Sequence, residues 1–239
     1  MEPYAAYARF YDATQTTQLV SHYLRLLRNY HPTAKSLLEI ACGTAANLVP
    51  LSNRYDVAGL DISTTMLRIA KRRLPRFKFY KRNMAGFRLD RTFDAIICSY
   101  DSINHLLKFG DWVKTFRAAH RNLNEDGVFI FDMNTELKLQ QLAKASPFIR
   151  PFDGNFLIMK VIDRGSGIAD WDITIFERRR RTTYRLHREI IKEASFPLER
   201  VRSALGREFD WVRVLDAEKW GRPRKTSKRL FFVCGKESN

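Results

Sequence analysis

Apolar and polar positions recur with two periods along this chain, and the order of those periods predicts its architecture. Residues 14–30, TQTTQLVSHYLRLLRNY, place Leu19, Tyr23, Leu26, Leu27 and Tyr30 at the spacing of an amphipathic helix. SLLEI then forms a short apolar run of strand length, followed by a turn at Gly43. ANLVPLSNR reads as a helix, with Pro50 confined to its first turn or kinking it. YDVAGLDI is a second strand ending in Asp61, and STTMLRIAKRRL is a second helix with Ser63 or Thr64 as its N-cap. RFKFYKRNM alternates as a strand, whereas TFDAIICSY is apolar almost throughout, as in the buried middle of a parallel sheet. DWVKTFRAAHRNLN is a helix closed by EDG before the strand VFIFDMN.

Strand and helix thus alternate through residue 134, which predicts an α/β fold with a doubly wound, Rossmann-like, mostly parallel sheet. Beyond that point the rhythm changes. FLIMKVID, GIADWDITIFERR and TYRLHREIIKE follow one another without helices, which predicts a small antiparallel β insertion. PLERVRSAL is a short helix, and DWVRVLD and KRLFFVCGK close the parent sheet at seven strands.

Composition narrows the class. At 45% hydrophobic residues the chain has enough apolar material for a folded core. Its first residues lack a basic stretch followed by an apolar run, and no apolar window approaches the length of a membrane span, so a cytoplasmic protein is expected. Cys42, Cys98 and Cys234 sit in or beside apolar runs, with no CxxC pair and no Cys/His cluster, so buried thiols are expected and a metal is not. Lys and Arg number 42 against 26 Asp and Glu, a formal net charge of +16. That excess suits an anionic partner such as RNA or an acidic metabolite, or else a general basic adaptation, because the basic residues are spread along the chain.

In an open α/β sheet, ligands bind beyond the carboxyl ends of the strands. Candidate chemistry collects there. Gly43 allows close approach of the backbone, and Asp61, eighteen residues later, stands where a carboxylate accepts hydrogen bonds from ribose hydroxyls. Asn83 and Met84 end the third strand, and SYDSINHL follows the fourth. A dinucleotide would call for G-x-G-x-x-G, but Ala41, Gly43 and Ala46 occupy those positions. A ligand without phosphates needs fewer glycines, and Glu39 just ahead of the loop suits a cationic one.

LLEIACGTAAN, VAGLDISTTML, FYKRNM and FDAIICSYDSINHL, in that order, resemble the motifs of class I S-adenosylmethionine-dependent methyltransferases, especially small bacterial ones with a β-rich insertion. The resemblance extends to YARFYD, GVFIFDMNTELKL and KRLFFVCGK, and is weakest over 140–205. It implies that Glu39, Ala41 and Gly43 line the methionine part of S-adenosylmethionine. Asp61 would bind the ribose, with Ile62, Met66, Asn83 and Met84 beside the adenine. Ser99 and Tyr100 would border the methyl group, and Tyr11 would close over the cofactor. Asn83 stands where the family more often has Asp, and Ala45 stands where it has a second glycine, whose place a methyl group would crowd. Residues 1–140 and 205–239 are then the cofactor-binding domain, and 141–204 shape the acceptor site.

Just past the fourth strand, Tyr100, Asp101 and His105 are the candidate catalytic residues, with Asn104 between them. His105 is the general base by residue type, or a structural histidine. Asp61 and Glu39 could instead cap helices, Tyr4, Tyr7 and Tyr11 could be a packing stripe or a lid, and Arg178 to Arg181 a solvated turn or a substrate contact. The expected activity is methyl transfer to an N or O nucleophile of a small molecule. The alternatives are an RNA methyltransferase, which the net charge favours, and a non-catalytic S-adenosylmethionine-binding protein.

Overall fold

The computed structural model describes Tyr4, residues 6–15 and residues 19–237. After a short α1 (Tyr11–Thr14), α2 (Val20–Tyr30) precedes β1 (Ser36–Ile40). Then come α3 (Leu48–Leu51), β2 (Asp56–Asp61), α4 (Thr64–Arg73), β3 (Lys78–Lys81) and β4 (Phe93–Cys98). A 3₁₀ turn (Ser102–His105) leads through α5 (Phe109–Arg121) to β5 (Leu123–Asn134) and α6 (Glu136–Ala145). The chain continues through β6 (Phe148–Phe152), β7 (Asn155–Gly165), β8 (Ile168–Arg178) and β9 (Tyr184–Ala194). It ends with α7 (Leu198–Leu205), β10 (Trp211–Asp216) and β11 (Arg229–Gly235).

Seven strands form one sheet in the order β10-β11-β5-β4-β1-β2-β3. β1 pairs in parallel with both β2 and β4, so the chain winds outward in two directions from β1 and leaves a crevice at the carboxyl ends there. Only β11 is reversed in this sheet, pairing antiparallel with β5 on one side and with β10 on the other. The expected doubly wound sheet is therefore present. Its near-continuous apolar strands divide their side chains by the two-residue period of the pleat. Leu38, Ile40, Ile96, Phe129 and Phe131 pack on one face with Trp112 and Phe116 of α5 and Val201 and Leu205 of α7. Leu37, Val57, Ile97 and Ile130 pack on the other with Tyr23, Leu26 and Leu27 of α2. Cys42, Cys98 and Cys234 are buried free thiols.

Local details differ from the sequence expectation for identifiable reasons. Ser63 is the N-cap of α4, its hydroxyl accepting the Met66 amide at 3.3 Å. α3 covers only Leu48–Leu51 of the longer helix expected, with Pro50 inside that single turn. The first expected helix is split: Thr14 ends α1, α2 begins at Val20, and residues 16–18 lie outside the described residues. The segment EDG is incorporated in β5, where the register against β4 shifts.

The insertion has four antiparallel strands, β6-β7-β8-β9, one more than the sequence pattern indicates. β6 contains Pro151, which lacks the N–H a central strand needs; at the sheet edge that loss is tolerated. The inner face of this second sheet seats Leu157, Ile173 and Ile175 against Tyr7 and Phe10 of the N-terminal segment. Val161 and Ala169 pack against Leu139 of α6. Among the described residues, no helix is long and apolar enough to cross a membrane.

The aromatic layer under β5 carries much of the core. Phe131 is fully buried, stacked on Phe232 at 4.7 Å between ring centroids and on Phe129 at 5.1 Å. Phe131→Ala should lower the free energy of unfolding by about 3–5 kcal/mol, as measured by urea titration.

Candidate active site

β1 delivers Glu39 to the crevice with only 1% of its surface exposed. Its Oε1 accepts the Ser99 hydroxyl at 2.5 Å and the Asn47 amide at 3.0 Å, while Asn47 also donates to Ser99 Oγ at 2.8 Å. Its Oε2 is buried with no hydrogen-bond partner. Burial pushes the Glu39 carboxyl up to about 7, against the opposing pull of Ser99 and Asn47.

In the turn that follows, Ala41, Gly43 and Ala45 all have left-handed backbone, at φ 54, 53 and 59 degrees. For the two alanines this conformation is strained. A Cβ built on Gly43 would meet nothing within 4 Å, so its glycine answers a backbone requirement and faces open space. Ala45 does not crowd that space. Its methyl is fully buried in the core on the α2 side, with Leu48 and Leu51, and the consequence of alanine there is backbone strain.

At the end of β2, the Asp61 carboxylate accepts the Gly43 amide on Oδ2 and the Ser63 amide on Oδ1, both at 2.8 Å. Burial raises its pKa, and these amides oppose the rise. The carboxylate thereby fixes the β1 turn against β2 and keeps lone pairs for a ligand. Beside it, Ile62 is 48% exposed, and Met66 and Met84 are buried. The Asn83 carbonyl already accepts the Ala85 amide at 2.9 Å, which leaves it one lone pair.

Three cavities meet here. One, of about 780 Å³, is lined by Asp61, Ile62, Met66, Asn83 and Met84 together with Ala41 and Gly43. A second, of about 440 Å³, holds Glu39, Asn47 and Ser99. The third, of about 640 Å³, lies beneath the β insertion and is lined by Tyr100, Asp101, Asn134, Trp171, Glu193 and Arg229. Tyr11 lines all three, and Tyr4, His105 and Ile191 stand between the first and third. The structure therefore brings Tyr100, Asp101 and His105 to one chamber. Ser99 points instead to Glu39.

His105 is placed as a wall rather than a free base. Its Nε2 lies 2.9 Å from the Tyr4 hydroxyl and its Nδ1 3.3 Å from the Lys192 carbonyl, and burial lowers its pKa. In the neutral tautomer that donates from Nδ1, Nε2 accepts from Tyr4. Tyr100 and Asp101 are successive left-handed residues, at φ 55 and 50 degrees. That turn directs the Asp101 carboxylate to Arg229 at 2.7 Å and the Asp101 amide to Asp132 Oδ2 at 2.9 Å. The N-terminal tyrosines pack together and line the cavities. Tyr11 packs edge-on against Tyr4 and Tyr7 at 5.7 and 5.6 Å, and the same rings face the cavities.

Sequence reasoning missed Asn47, which locks Glu39 to Ser99, and the clasp that holds the N-terminal segment. In that clasp Asp12 accepts the Thr44 hydroxyl at 2.6 Å and pairs with Arg73 at 2.5 Å. It also missed Glu193, Asp132 and Arg229, whose separations in sequence carry no local signal. The Arg178 to Arg181 run does lie at the turn between β8 and β9, where Arg179 pairs with Glu177 at 3.0 Å.

Comparison with known proteins joins this geometry to a family. Residues 37–127, from β1 into β5, match a methyltransferase domain family. The chain is 25% identical over 244 residues to YqeM of Bacillus subtilis (strain 168), a protein named as a methyltransferase, covering 98% of this chain and 97% of that one. Residues 37–127 thus match a methyltransferase domain, and the whole chain has the fold of the S-adenosylmethionine-dependent methyltransferases. An S-adenosylmethionine-dependent methyltransferase from Clostridium acetobutylicum ATCC 824 has the same fold, with a TM-score of 0.83, 22% identity and 98% coverage of both chains. The dTDP-3-amino-3,4,6-trideoxy-alpha-D-glucopyranose N,N-dimethyltransferase of Streptomyces venezuelae is 39% identical over 108 residues, 45% of this chain and 46% of that one.

Because the Ala45 methyl faces the core, Ala45→Gly should leave the affinity for S-adenosylmethionine within about twofold in isothermal titration. Its stability should change by no more than about 1 kcal/mol, since relief of left-handed strain offsets the lost methyl burial.

Proposed function

We propose that this chain transfers a methyl group from S-adenosylmethionine to an amine nitrogen of a small molecule held in the cavity beneath the β insertion. The observation that carries the reading is the junction at Tyr11, where a cavity suited to a nucleoside, a carboxylate-lined pocket and a separate third chamber converge. The amino-sugar N-methyltransferase among the relatives supports nitrogen as the acceptor atom.

The residues present fit the cofactor. The orphaned Glu39 Oε2 suits the ammonium of its amino acid tail, since a buried carboxylate oxygen without a partner is costly until a cation arrives. Ala41 and Gly43 then line that tail with backbone, while Ser99 and Asn47 hold Glu39 in position. Asp61 receives the ribose hydroxyls, and Ile62, Met66 and Met84 flank the adenine, with the remaining Asn83 carbonyl lone pair open to its amino group. When bound, the cofactor supplies a methyl group activated by its sulfonium charge. The chain's own work is to align the acceptor and exclude water. Tyr11 and Tyr4 close the junction, Tyr100 and Asp101 shape the chamber wall, and His105 holds the Tyr4 hydroxyl through Nε2.

In this reading residues 1–140 and 205–239 hold the cofactor, and 141–204 shape the acceptor site. A chamber of about 640 Å³ has the size of a metabolite site.

Incubation with methyl-labelled cofactor, amino sugars and fractionated cell extract should place the label on nitrogen in the small-molecule fraction. Label in RNA, or no transfer at all, overturns the reading. A second expectation concerns pH. The free protein's Glu39 titrates near 7 and must be ionised to hold an ammonium, so cofactor affinity should rise with pH up to about 7 and level off above it. Glu39→Gln should weaken binding about tenfold or more and abolish that pH dependence in isothermal titration.

A further inference from the structure

A cluster of carboxylates stands at and behind one part of the chamber wall. Asp101, Asp132 and Glu193 converge from the turn after β4, from β5 and from β9, and among the described residues Arg229 is the cation bonded to any of them. Asp132 is satisfied: it accepts Arg229, the Tyr23 hydroxyl and the Asp101 amide. Asp101 accepts Arg229 and the Asn134 side-chain amide, both at 2.7 Å. Glu193, 4% exposed, accepts that same Asn134 amide at 3.4 Å and lies against the Asp101 carboxyl, with no cation bonded to it among the described residues.

Asn134 adds an independent observation. It is 2% exposed, lines the chamber, and its Oδ1 has no partner. Its orientation is determined, because turning the amide over would set a carbonyl oxygen against two carboxylates. Its backbone is clamped as well: Asn104 bonds both its N–H and its carbonyl, at 3.0 and 3.1 Å, and Ser195 donates to that carbonyl at 2.9 Å. Once Glu193 is ionised, every open valence at this point of the wall is therefore an acceptor: Glu193, Asp101 and Asn134 Oδ1. Such a set calls for a ligand with several N–H donors and a positive charge.

We propose that the methyl acceptor enters as an ammonium ion seated on Glu193, Asp101 and Asn134, and that Glu193 is the catalytic residue that takes its proton. The assignment rests on the methyl-transfer reading above. An ammonium nitrogen has no lone pair, so one N–H proton must leave before attack. It passes to the Glu193 carboxylate, giving a neutral amine and a protonated Glu193. The freed lone pair forms the N–C bond as the C–S bond breaks with its electron pair going to sulfur. The product is a methylated ammonium; Glu193 stays protonated as that product leaves and gives its proton to solvent when the next ammonium binds.

The groups sharing the chamber or the charge cluster with Glu193 support this role. Tyr100, Asp101 and His105 come from the segment after β4, Asp132 from β5, Lys138 from α6, Arg150 from β6, where it donates to the Thr14 carbonyl, Arg229 from β11, and Tyr4, Tyr7 and Tyr11 from the N-terminal segment. On the adjacent strand β8, uncharged Ala169 stands opposite. Burial and the neighbouring Asp101 hold the Glu193 carboxyl well above the usual range, nearer to that of an amine than an exposed glutamate would be. A bound cation supplies the missing charge, so its arrival should expel a proton from the empty chamber.

The test uses the full chain saturated with S-adenosylhomocysteine, titrated calorimetrically with cyclohexylammonium chloride and with cyclohexanol in buffers of different ionisation enthalpy. Cyclohexylammonium should bind preferentially, release a proton, and bind more tightly as pH rises from about 6 to about 8. Glu193→Gln should weaken its binding about ten- to hundredfold and remove the proton release, with S-adenosylhomocysteine affinity unchanged. Glu193→Asp should recover part of the selectivity. Equal binding of the alcohol and the ammonium, or full ammonium affinity in Glu193→Gln, overturns the assignment. If Glu193→Gln does not fold, which its S-adenosylhomocysteine binding reports, the wild-type proton release decides alone. No turnover is required, so failure here rejects the role of Glu193 and leaves methyl transfer to be judged by the labelling experiment.

Discussion

Four carboxylates lie at the carboxyl edge of the central sheet: Glu39 and Asp132 within β1 and β5, Asp61 at the end of β2, and Asp101 just past β4. Removing such groups from water costs several kcal/mol each unless hydrogen bonds and opposite charge replace the lost hydration. Much of the local structure follows from that need. Asp61 is met by the amides of Gly43 and Ser63, which fixes the β1 turn to the start of α4. Glu39 is met by Ser99 and Asn47, which fixes β4 to α3. Asp132 and Asp101 are met by Arg229, which ties the last strand to the turn after β4. Where the compensation stops short, at Glu39 Oε2 and at Asn134 Oδ1, the protein faces a cavity.

The walls between the cavities come from widely separated parts of the chain. The N-terminal segment is clasped on one side by Thr44 and Arg73 through Asp12. On the other side Arg9 pairs with Glu177 at 2.6 Å, and the Tyr7 amide donates to Glu189 at 3.2 Å. Tyr4 and Tyr11 are thus suspended between the parent domain and the insertion, which is why single rings can border more than one cavity. The β insertion contributes its inner face, where Ile173 and Trp171 provide apolar surface and Glu193 provides charge.

Legibility varied with the range of the interaction. Gly43 and Asp61 were readable because a turn and a strand end have local signatures, and the pleat holds them at a short separation in sequence. The N-cap Ser63 was readable for the same reason. Ala45 was misread in its consequence: its type suggested crowding of the loop, whereas its methyl is buried in the core and the consequence is a left-handed backbone. Pro151 obscured β6, because only the edge position in the folded sheet makes proline acceptable there. Helix and strand lengths shifted by a few residues wherever tertiary pairing outweighed propensity, as in β5 and α3.

The sequence by itself determined the alternation of strands and helices through β5 and the doubly wound core. Those depend on the periodicity of side chains and on the short turns that follow each strand. Only the tertiary structure decided which distant groups would share a dehydrated wall. Arg229 meets Asp101 across 128 residues, and Asn134 meets Glu193 across 59. No local pattern encodes such a meeting, because it results from strand register and from the need of each buried charge for a partner. The chamber beneath the β insertion is made of those meetings, so its chemistry became visible only in the fold.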